Sequence, residues 1–321
     1  MYRGYEQFKQ SGITPEDAYQ ALVSLYCYTN GKISEQFNNQ IVQINPKSLV
    51  SENIEGLLGS CNSKDFNKIN TTLNENGYVR FDAKLSSEIC TKLYDYALKT
   101  PSIVKGIKEK VLYDQSNPIS EIYRLDINDQ INNQEIQALI MDETLINVAR
   151  NYLGCEPIFD FPAMWWSTSI NKEASSEAAQ LYHFDMDRVK WLKIFFYLVD
   201  VNIDNGPHSY IRGSHKVDTK PKSILKKGYV RIDDAELAQF YDSEDFITLT
   251  GLKGEIFAGD TKCWHKGNPL KKGHRLVLEL EYTSSLFGAN YPKFMVSQYS
   301  PAFENFCVNN PIYSSKIFFQ K

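Results

Sequence analysis

Residues 275–284 read RLVLELEYTS, a stretch in which apolar and polar side chains alternate. Successive side chains of a β-strand point to opposite faces of the sheet. One face carries the leucines, which are Leu276, Leu278 and Leu280. The other face carries Arg275, Val277, Glu279 and Glu281. The alternation predicts a strand that packs its leucines into a core and turns a polar row inward if the interior of a barrel is the active site.

Four more segments in the second half of the chain have the character of strands, because they are aromatic or β-branched and bounded by turn residues. They are residues 158–170, 191–201, 254–258 and 262–267. The first half has the spacing of helices, with one short strand at 78–82. The predicted helices are 15–29 (with Thr14 as N-cap and Pro15 as first residue), 64–76, 86–100 and 134–154, and a helical insert falls at 233–241.

Helices followed by a run of strands predict an α+β chain with a mainly β core and flanking N-terminal helices. A jelly roll is the natural candidate for that core. We assign residues 1–63 to a partly helical N-terminal extension and residues 64–321 to a single domain. Within this domain the jelly-roll core spans about 157–285, and 286–321 form a C-terminal extension.

Composition argues against several classes of protein. The chain has 321 residues and a formal net charge of −4, without the basic footprint of a nucleic-acid binder. No apolar run approaches the roughly 20 residues of a membrane span, and the first residues lack the apolar core of a signal peptide. The six cysteines lie far apart with no CxxC pair, as is typical of reduced thiols. We therefore expect a cytoplasmic protein that binds neither nucleic acid nor a membrane.

The stretch HFD (183–185) puts a histidine and a carboxylate on one face of a strand. Such a pattern alone marks a metal only occasionally, and it needs a third ligand, for which His265 in a later strand-like segment is the candidate. Two imidazoles and one carboxylate form the facial triad of non-haem Fe(II) oxygenases, which leaves positions open for a cosubstrate and dioxygen. Arg275, ten residues after His265, strengthens the interpretation because its guanidinium can bind a carboxylate in the same cavity.

Other polar and aromatic residues near these motifs receive simpler interpretations. Lys193 lies among apolar residues and either faces the cavity to meet an anionic group or extends out of the sheet into solvent. At least one of Trp165, Trp166 and Trp264 is expected in the barrel core, and the others around the site. We assign surface or turn positions to Asp187 and Asp200, a core position to Cys263, a structural role to His215, and no role in the site to His208 and His274.

Several motifs together resemble the phytanoyl-CoA dioxygenase-like group of Fe(II)- and 2-oxoglutarate-dependent oxygenases. The later motifs are HFD (183–185), NGPHSYIRGSHK (205–216), WHKGN (264–268) and Arg275. The earlier motifs are NGYVRFDAKLSSEIC (76–90), YRLDI (123–127), and NYLGCEPIF (151–159) followed by WWS (165–167). The resemblance covers roughly residues 66–285, and Arg212 departs from it where many relatives have proline.

The resemblance implies a double-stranded β-helix that holds Fe(II) through His183, Asp185 and His265. It implies a salt bridge between Arg275 and the distal carboxylate of 2-oxoglutarate. The further contacts of this cosubstrate that it implies are Trp165, Phe196 and Arg124. The implied reaction consumes dioxygen and 2-oxoglutarate, oxidises a substrate by hydroxylation or a related step, and releases succinate and CO2.

The substrate is expected to be a small molecule. Segments 171–180 and 218–246 are the natural lids over the open face of the iron, and their polar composition suits a small polar metabolite such as a sugar or sugar derivative. Two alternatives remain at this point. One is a cupin-like metal-dependent isomerase or hydrolase, and the other is a catalytically silent jelly-roll binding module.

Overall fold

The computed structural model describes residues 1–48, 53–171 and 173–320. Its helices are α1 (Tyr2–Ser11), α2 (Glu16–Thr29), α3 (Lys32–Ile44), α4 (Ser63–Asn76), α5 (Ser87–Lys99), α6 (Ile127–Ile131), α7 (Gln134–Ile140), α8 (Glu143–Leu153), α9 (Lys222–Leu225), α10 (Asp234–Leu237) and α11 (Pro301–Asn309). Its strands are β1 (Asn53–Gly56), β2 (Gly59–Asn62), β3 (Tyr78–Lys84), β4 (Ser102–Ile103), β5 (Ile122–Leu125), β6 (Ile158–Thr168), β7 (Trp191–Tyr197), β8 (His208–Ile211), β9 (Phe246–Leu249), β10 (Glu255–Gly259), β11 (His265–Gly267), β12 (His274–Thr283), β13 (Phe294–Val296) and β14 (Ile317–Phe319).

Two antiparallel sheets form the body of the protein. In the described part of the chain the larger has the order β3-β10-β7-β12-β6-β5-β4, and the smaller has the order β11-β8-β9. An apolar cluster joins their inner faces, with Phe195, Tyr197 and Val277 from the larger sheet and Tyr210 and Leu249 from the smaller. Two sheets packed in this way make the predicted double-stranded β-helix, so the fold prediction is confirmed.

Strand β12 lies in the middle of the larger sheet and separates core from cavity. Its leucines join the main core cluster, which also includes α5, α7 and α8. Its alternate residues face the opposite way, where Arg275 and Glu279 line a cavity between the sheets. The alternation in the sequence therefore predicted both faces of this strand correctly.

Most predicted helices are present, with changes at their ends. Helix α4 begins with a capping box between Asn62 and Asp65 and ends at Gly77, whose φ of 82° is left-handed. The single helix predicted over 134–154 is instead α7 and α8, because the Asp142 carboxylate accepts a hydrogen bond from the Leu145 N–H and starts a new helix. The insert predicted at 233–241 is shortened to α10.

The start of α2 also differs from the prediction. Pro15 is the N-cap and Thr14 does not cap the helix. The Thr14 hydroxyl accepts a hydrogen bond from the Gly288 N–H, and its backbone N–H donates to Asn290. Thr14 therefore ties the beginning of the chain to the segment that follows β12.

The N-terminal residues contain elements that were not predicted, namely α1, α3 and the β1–β2 hairpin. Tyr26 of α2 and Phe37 of α3 share one buried cluster with Phe184, Trp264 and Phe287 of the jelly roll. These helices thus cover the back of the segments that carry the predicted metal ligands. No helix among the described residues has the length and apolar character that crossing a membrane requires.

Candidate metal centre and cosubstrate cavity

His183, Asp185 and His265 meet between the two sheets. The Nε2 atoms of His183 and His265 lie 3.7 Å from Asp185 Oδ1 and Oδ2 respectively. One candidate ligand atom from each residue lies within 4.8 Å of the others, and no other group of three potential ligands was found among the described residues. The arrangement has the donor set and the convergence that a facial-triad site needs.

Backbone pairing brings the two histidines together. The N–H of each residue donates to the carbonyl of the other, at 3.0 Å from His183 and 2.8 Å from His265. The ring centroids are consequently 4.3 Å apart. This bridge joins the HFD segment to β11, the edge strand of the smaller sheet.

Hydrogen bonds at Nδ1 set the tautomer of both imidazoles. His183 Nδ1 lies 2.9 Å from the Leu181 carbonyl oxygen, and His265 Nδ1 lies 3.0 Å from the Cys263 carbonyl oxygen. A carbonyl only accepts hydrogen bonds, so each Nδ1 carries the proton. Each Nε2 lone pair is left free for a metal, which is the state a ligating histidine requires.

Burial and neighbouring charges favour the ligand-competent protonation states. Burial lowers the pKa of His183 to about 3, with a further contribution from His265, and burial also lowers the pKa of His265. Burial alone would raise the pKa of Asp185, but Lys193 and the two histidines hold it below its usual value. Neutral imidazoles beside an ionised carboxylate fit a divalent cation.

Lys193 faces the cavity, so the alternative in which it extends into solvent is wrong. Its Nζ donates to Asp185 Oδ2 at 3.0 Å and lies 3.4 Å from Glu279 and 3.2 Å from Glu281. Burial would lower the pKa of Lys193, but these three carboxylates raise it well above its usual value. The ammonium group therefore holds Asp185 through Oδ2, the oxygen that also lies near His265 Nε2.

Arg275 is buried on the same wall without an acidic partner. One terminal nitrogen donates to the Gly206 carbonyl and the other to the Ser167 hydroxyl at 3.1 Å, while Nε has no partner among the described residues. Burial lowers its pKa to about 10. Gly267 leaves room beside the guanidinium, because a Cβ there would lie 3.1 Å from one of its nitrogens. A buried cation with free donors fits an incoming carboxylate.

The predicted cosubstrate contacts divide into two groups. Trp165 lines the cavity with Arg275, and Arg124 lies at the mouth, its guanidinium carbon 5.8 Å from the Trp165 ring. Phe196 of β7, by contrast, belongs to the main core cluster, and its neighbour Phe195 lines the cavity. A shift of one residue along a strand exchanges the two faces, so Phe195 replaces Phe196 as a candidate.

Two cavity residues were missed because their sequence context offered no signal. Asp187, predicted at the surface or in a turn, lines the cavity, and burial raises its pKa despite a hydrogen bond from Tyr291. His208, for which no role in the site was predicted, lies in the wall with Nδ1 3.3 Å from the Tyr197 hydroxyl. Asp200 does cap a turn, accepting a hydrogen bond from the Lys253 N–H.

The remaining predicted residues lie outside the cavity. Trp166 belongs to the main core cluster and Trp264 to the cluster under the N-terminal helices. His215 Nδ1 lies 3.5 Å from the buried thiol of Cys263. His274 packs on Trp166 with ring centroids 5.4 Å apart.

The cavity has a volume of about 310 Å³ and reaches the predicted lid segments. Ala178 and Ala179 line it from residues 171–180, and Arg231 lines it from residues 218–246. Residue 172 of the first lid lies outside the described residues. The cavity therefore runs from Arg275, past the two histidines, to an entrance between the lids.

The sequence matches the model of one protein family, described as phytanoyl-CoA dioxygenase (PhyH), over residues 73–274. The chain belongs to the phytanoyl-CoA dioxygenase family. It is therefore an Fe(II)- and 2-oxoglutarate-dependent dioxygenase, as the resemblance implied, and not the isomerase, hydrolase or silent module considered as alternatives. No curated protein matches the chain significantly.

Solved structures are similar to this dioxygenase at low sequence identity. EctD from S. alaskensis, in its apoform, is 16% identical with a TM-score of 0.51, over 79% of this chain and 88% of EctD. HygX from Streptomyces hygroscopicus, solved with nickel and 2-oxoglutarate bound, is 12% identical with a TM-score of 0.48, over 74% of this chain and 92% of HygX. The likeness to EctD supports the double-stranded β-helix.

Proposed function

We propose that this dioxygenase holds Fe(II) through His183, Asp185 and His265 and oxidises a small polar metabolite in the adjoining cavity. The observation that carries the proposal is the convergence of two free Nε2 atoms on one carboxylate, 3.7 Å from each. Three ligands on one side of an ion leave its other side to the cavity, where a cosubstrate and dioxygen can bind.

We propose that Arg275 binds the distal carboxylate of 2-oxoglutarate. Its guanidinium is 3% exposed and has no acidic group within 4.0 Å among the residues described, so a carboxylate would balance a charge that is otherwise buried alone. Ser167 and Gly206 fix its orientation, and Trp165 on the adjacent strand excludes water from the same wall. The cosubstrate role of Arg275 and Trp165 does not depend on Arg124.

When bound, Fe(II) with 2-oxoglutarate would activate dioxygen, which is the oxidant, with succinate and CO2 as products. The residues of the chain orient the reactants and exclude water. Lys193 holds Asp185 through the hydrogen bond to Oδ2, which leaves Oδ1 toward His183. The Leu181 and Cys263 carbonyls hold the two imidazoles through Nδ1, so neither ring can turn its Nε2 away from the site.

A sugar or sugar derivative is the substrate class that we propose. The cavity of about 310 Å³ suits one or two rings, and its wall mixes aromatic faces such as Phe195 and Trp165 with charged groups such as Asp187 and Glu279. Aromatic faces with adjacent hydrogen-bonding groups are suited to a polyhydroxylated ring, whereas a long acyl chain would leave the charged groups without partners.

The proposal is tested by an anaerobic titration of metal-free protein with Fe(II) and then with 2-oxoglutarate. We expect the visible charge-transfer band of the Fe(II)–2-oxoglutarate chelate. Asp185→Ala should abolish the band by removing a ligand, and Arg275→Ala should raise the 2-oxoglutarate concentration at half-saturation. Asp245→Ala and Arg212→Ala, which alter an exposed ion pair, serve as controls.

Each result has a defined meaning. A band that both site variants weaken supports the metal and cosubstrate assignments, and succinate release then identifies substrates among sugars and their derivatives. Iron binding without a band contradicts the assignment of Arg275. A band of full strength in Asp185→Ala contradicts the proposed triad.

A further inference from the structure

Four cationic side chains line the cavity, and they fall into two pairs by their partners. Lys193 is within 3.4 Å of three carboxylates, and Arg275 is fixed by Ser167 and Gly206 and is assigned above to the cosubstrate. Arg124 and Arg231 have neither an ion pair nor a hydrogen bond among the residues described, although both line the same cavity. The resemblance implied a cosubstrate contact for Arg124, but Trp165 lies between it and the strand that carries Arg275. Arg231 has no assigned role in iron or cosubstrate binding.

Arg124 and Arg231 approach the entrance from different elements. Arg124 extends from β5, and its strand partner Trp165 lies between it and the strand that carries Arg275. Arg231 lies in the second lid, beside Ile232, which pairs with Tyr182 next to the ligand His183. Both side chains are exposed at the mouth, so a molecule entering toward the iron passes them.

The charges of the cavity distinguish a neutral substrate from an acidic one. Lys193 is matched by Asp185, Glu279 and Glu281, and Arg275 by the carboxylate of the cosubstrate. Arg124 and Arg231 have no anionic partner, and Asp187 is the one other carboxylate of the wall, which leaves one net positive charge outside the iron and cosubstrate sites. A neutral sugar would leave that charge unbalanced, whereas one anionic group would balance it, and field focusing in a cleft would favour entry of such a molecule.

We infer that the substrate carries an oxyanion, a carboxylate or a phosphate, which Arg124 and Arg231 bind at the mouth while the remainder of the molecule reaches the iron. Two planar guanidinium groups suit either oxyanion, because each presents paired N–H donors. Asp187 lines the same wall with Tyr291 beside it, and its carboxylate repels a second anion, so this part of the wall fits hydroxyl groups of the substrate instead. The inference rests on the proposed iron site and adds the chemical class of the substrate.

The test uses enzyme loaded with Mn(II), a paramagnetic substitute for Fe(II), and saturating 2-oxoglutarate, with inorganic phosphate as the probe. We measure the longitudinal relaxation rate of ³¹P, which a nearby Mn(II) increases. The wild-type enzyme should increase the ³¹P relaxation rate above that of an enzyme-free Mn(II) blank. In the double variant Arg124→Gln/Arg231→Gln this enhancement should be at least about five-fold smaller than in the wild type. Arg212→Gln, a matched exposed arginine outside the cavity, should behave as wild type.

Acetate, followed through the relaxation of its methyl protons, separates a carboxylate site from a phosphate site. An enhancement for either anion that disappears in the double variant supports the inference. No enhancement for both anions, or an enhancement that the double variant retains, overturns it. Both arginines are exposed, so their replacement by glutamine leaves the core intact.

Failure of the inference is distinguishable from failure of the iron site. If the iron site is wrong, the relaxation of water protons reports only free Mn(II) and the Fe(II)–2-oxoglutarate band is absent. If only the substrate class is wrong, Mn(II) and 2-oxoglutarate bind, and the anion probes alone give no response.

Discussion

Arg188 and Arg275 are both buried arginines of the jelly roll, with 1% and 3% of their surface exposed, but their partners differ. Arg188 binds Asp160 through two nitrogens, at 2.5 and 2.8 Å, and also donates to three backbone carbonyls. Lys316 donates to the same carboxylate at 2.6 Å. Arg275 has one hydroxyl and one carbonyl as acceptors, and its Nε has none.

The difference separates a structural arginine from the one that we propose to bind the cosubstrate. The Arg188 network is complete within the chain, and it joins β6, the segment after the metal ligands and the C-terminal segment. The Arg275 site keeps donors without acceptors, at a cost to the stability of the protein alone. Buried charge with no partner in the chain therefore indicates where a ligand binds.

Replacing Asp160 should have the largest effect on stability, because it leaves both Arg188 and Lys316 buried without a counter-charge. We expect Asp160→Ala to lower the free energy of unfolding by about 3–5 kcal/mol, measured by chemical denaturation. Asp245→Ala, which breaks the exposed pair with Arg212, should cost less than about 1 kcal/mol. Equal losses in the two variants would contradict the distinction between the networks.

Arg275→Gln should have the opposite profile. We expect unfolding stability equal to or above that of the wild type, because a buried unpaired charge is removed. The KM for 2-oxoglutarate should rise by about 100-fold or more, since a buried charged pair with the cosubstrate is lost. Steady-state succinate release and thermal denaturation measure the two quantities, and a large loss of stability would mean that Arg275 is structural.

Lys193→Met tests an intermediate case, a cation that is paired within the chain and holds Asp185, a proposed metal ligand. Without the ammonium group, Asp185, Glu279 and Glu281 share a buried region with no cation, so Asp185 loses its anchor and binds a proton more readily. We expect Fe(II) affinity to fall by about 10- to 100-fold by anaerobic titration. Lys193→Arg should restore most of the affinity, and tighter iron binding in Lys193→Met would contradict a positioning role.

A smaller effect is expected at Lys220, whose ammonium group lies among the rings of Tyr26, Phe184 and Trp264 at 5.3–5.7 Å. Burial lowers the pKa of Lys220 to about 8. The unfolded chain therefore binds more protons than the folded one between about pH 8 and the ordinary lysine pKa, so the stability of the wild type rises with pH across that window.

The matched measurement compares the wild type with Lys220→Met. Raising the pH from 7 to 9.5 should stabilise the wild type by about 1–2 kcal/mol relative to the variant. Chemical denaturation of both proteins at each pH gives this difference. A difference that stays constant with pH would show that Lys220 keeps its ordinary pKa.

The spacing of residues in the sequence indicated His183, Asp185 and Arg275 as candidates. Residues two apart on a strand share a face, which placed His183 with Asp185, and the alternation over 275–284 set the direction of Arg275 and Glu279. The structure brings His183 and Asp185 to one cavity, although residues 183–185 lie between β6 and β7 with one bridge at His183 and do not form a strand. The approach of His265 depends on the pairing of distant segments, which local spacing does not show.

Strand β7 shows why the neighbouring residues were harder to predict. Its sequence WLKIFFY is buried on both faces, so hydrophobicity carries no period that distinguishes them. Lys193 was the only marker of the inner face, and interpreting it as inward would have selected Phe195 instead of Phe196. Asp187 and Arg231 lie in irregular segments, where spacing gives no information about side-chain direction.

Helices α1 and α3 were missed for a different reason. Helix α3 buries a narrow stripe that mixes polar with apolar residues (Ser34, Phe37, Asn38 and Ile41), whereas Ile44 is exposed. Such a stripe is informative only when the surface that it covers is known. Part of that surface is Phe287, whose ring centroid lies 5.7 Å from that of Phe37 and which comes 250 residues later in the chain.

The mutual backbone hydrogen bonds of His183 and His265, at 3.0 and 2.8 Å, have a consequence for how the metal is acquired. They hold the two imidazoles together before any ion arrives, so little chain entropy is lost on loading. Removal of iron by a chelator should accordingly leave the site assembled. We expect the metal-free enzyme to bind Fe(II) rapidly and without a slow refolding phase, because the two histidines are already in place when the ion arrives.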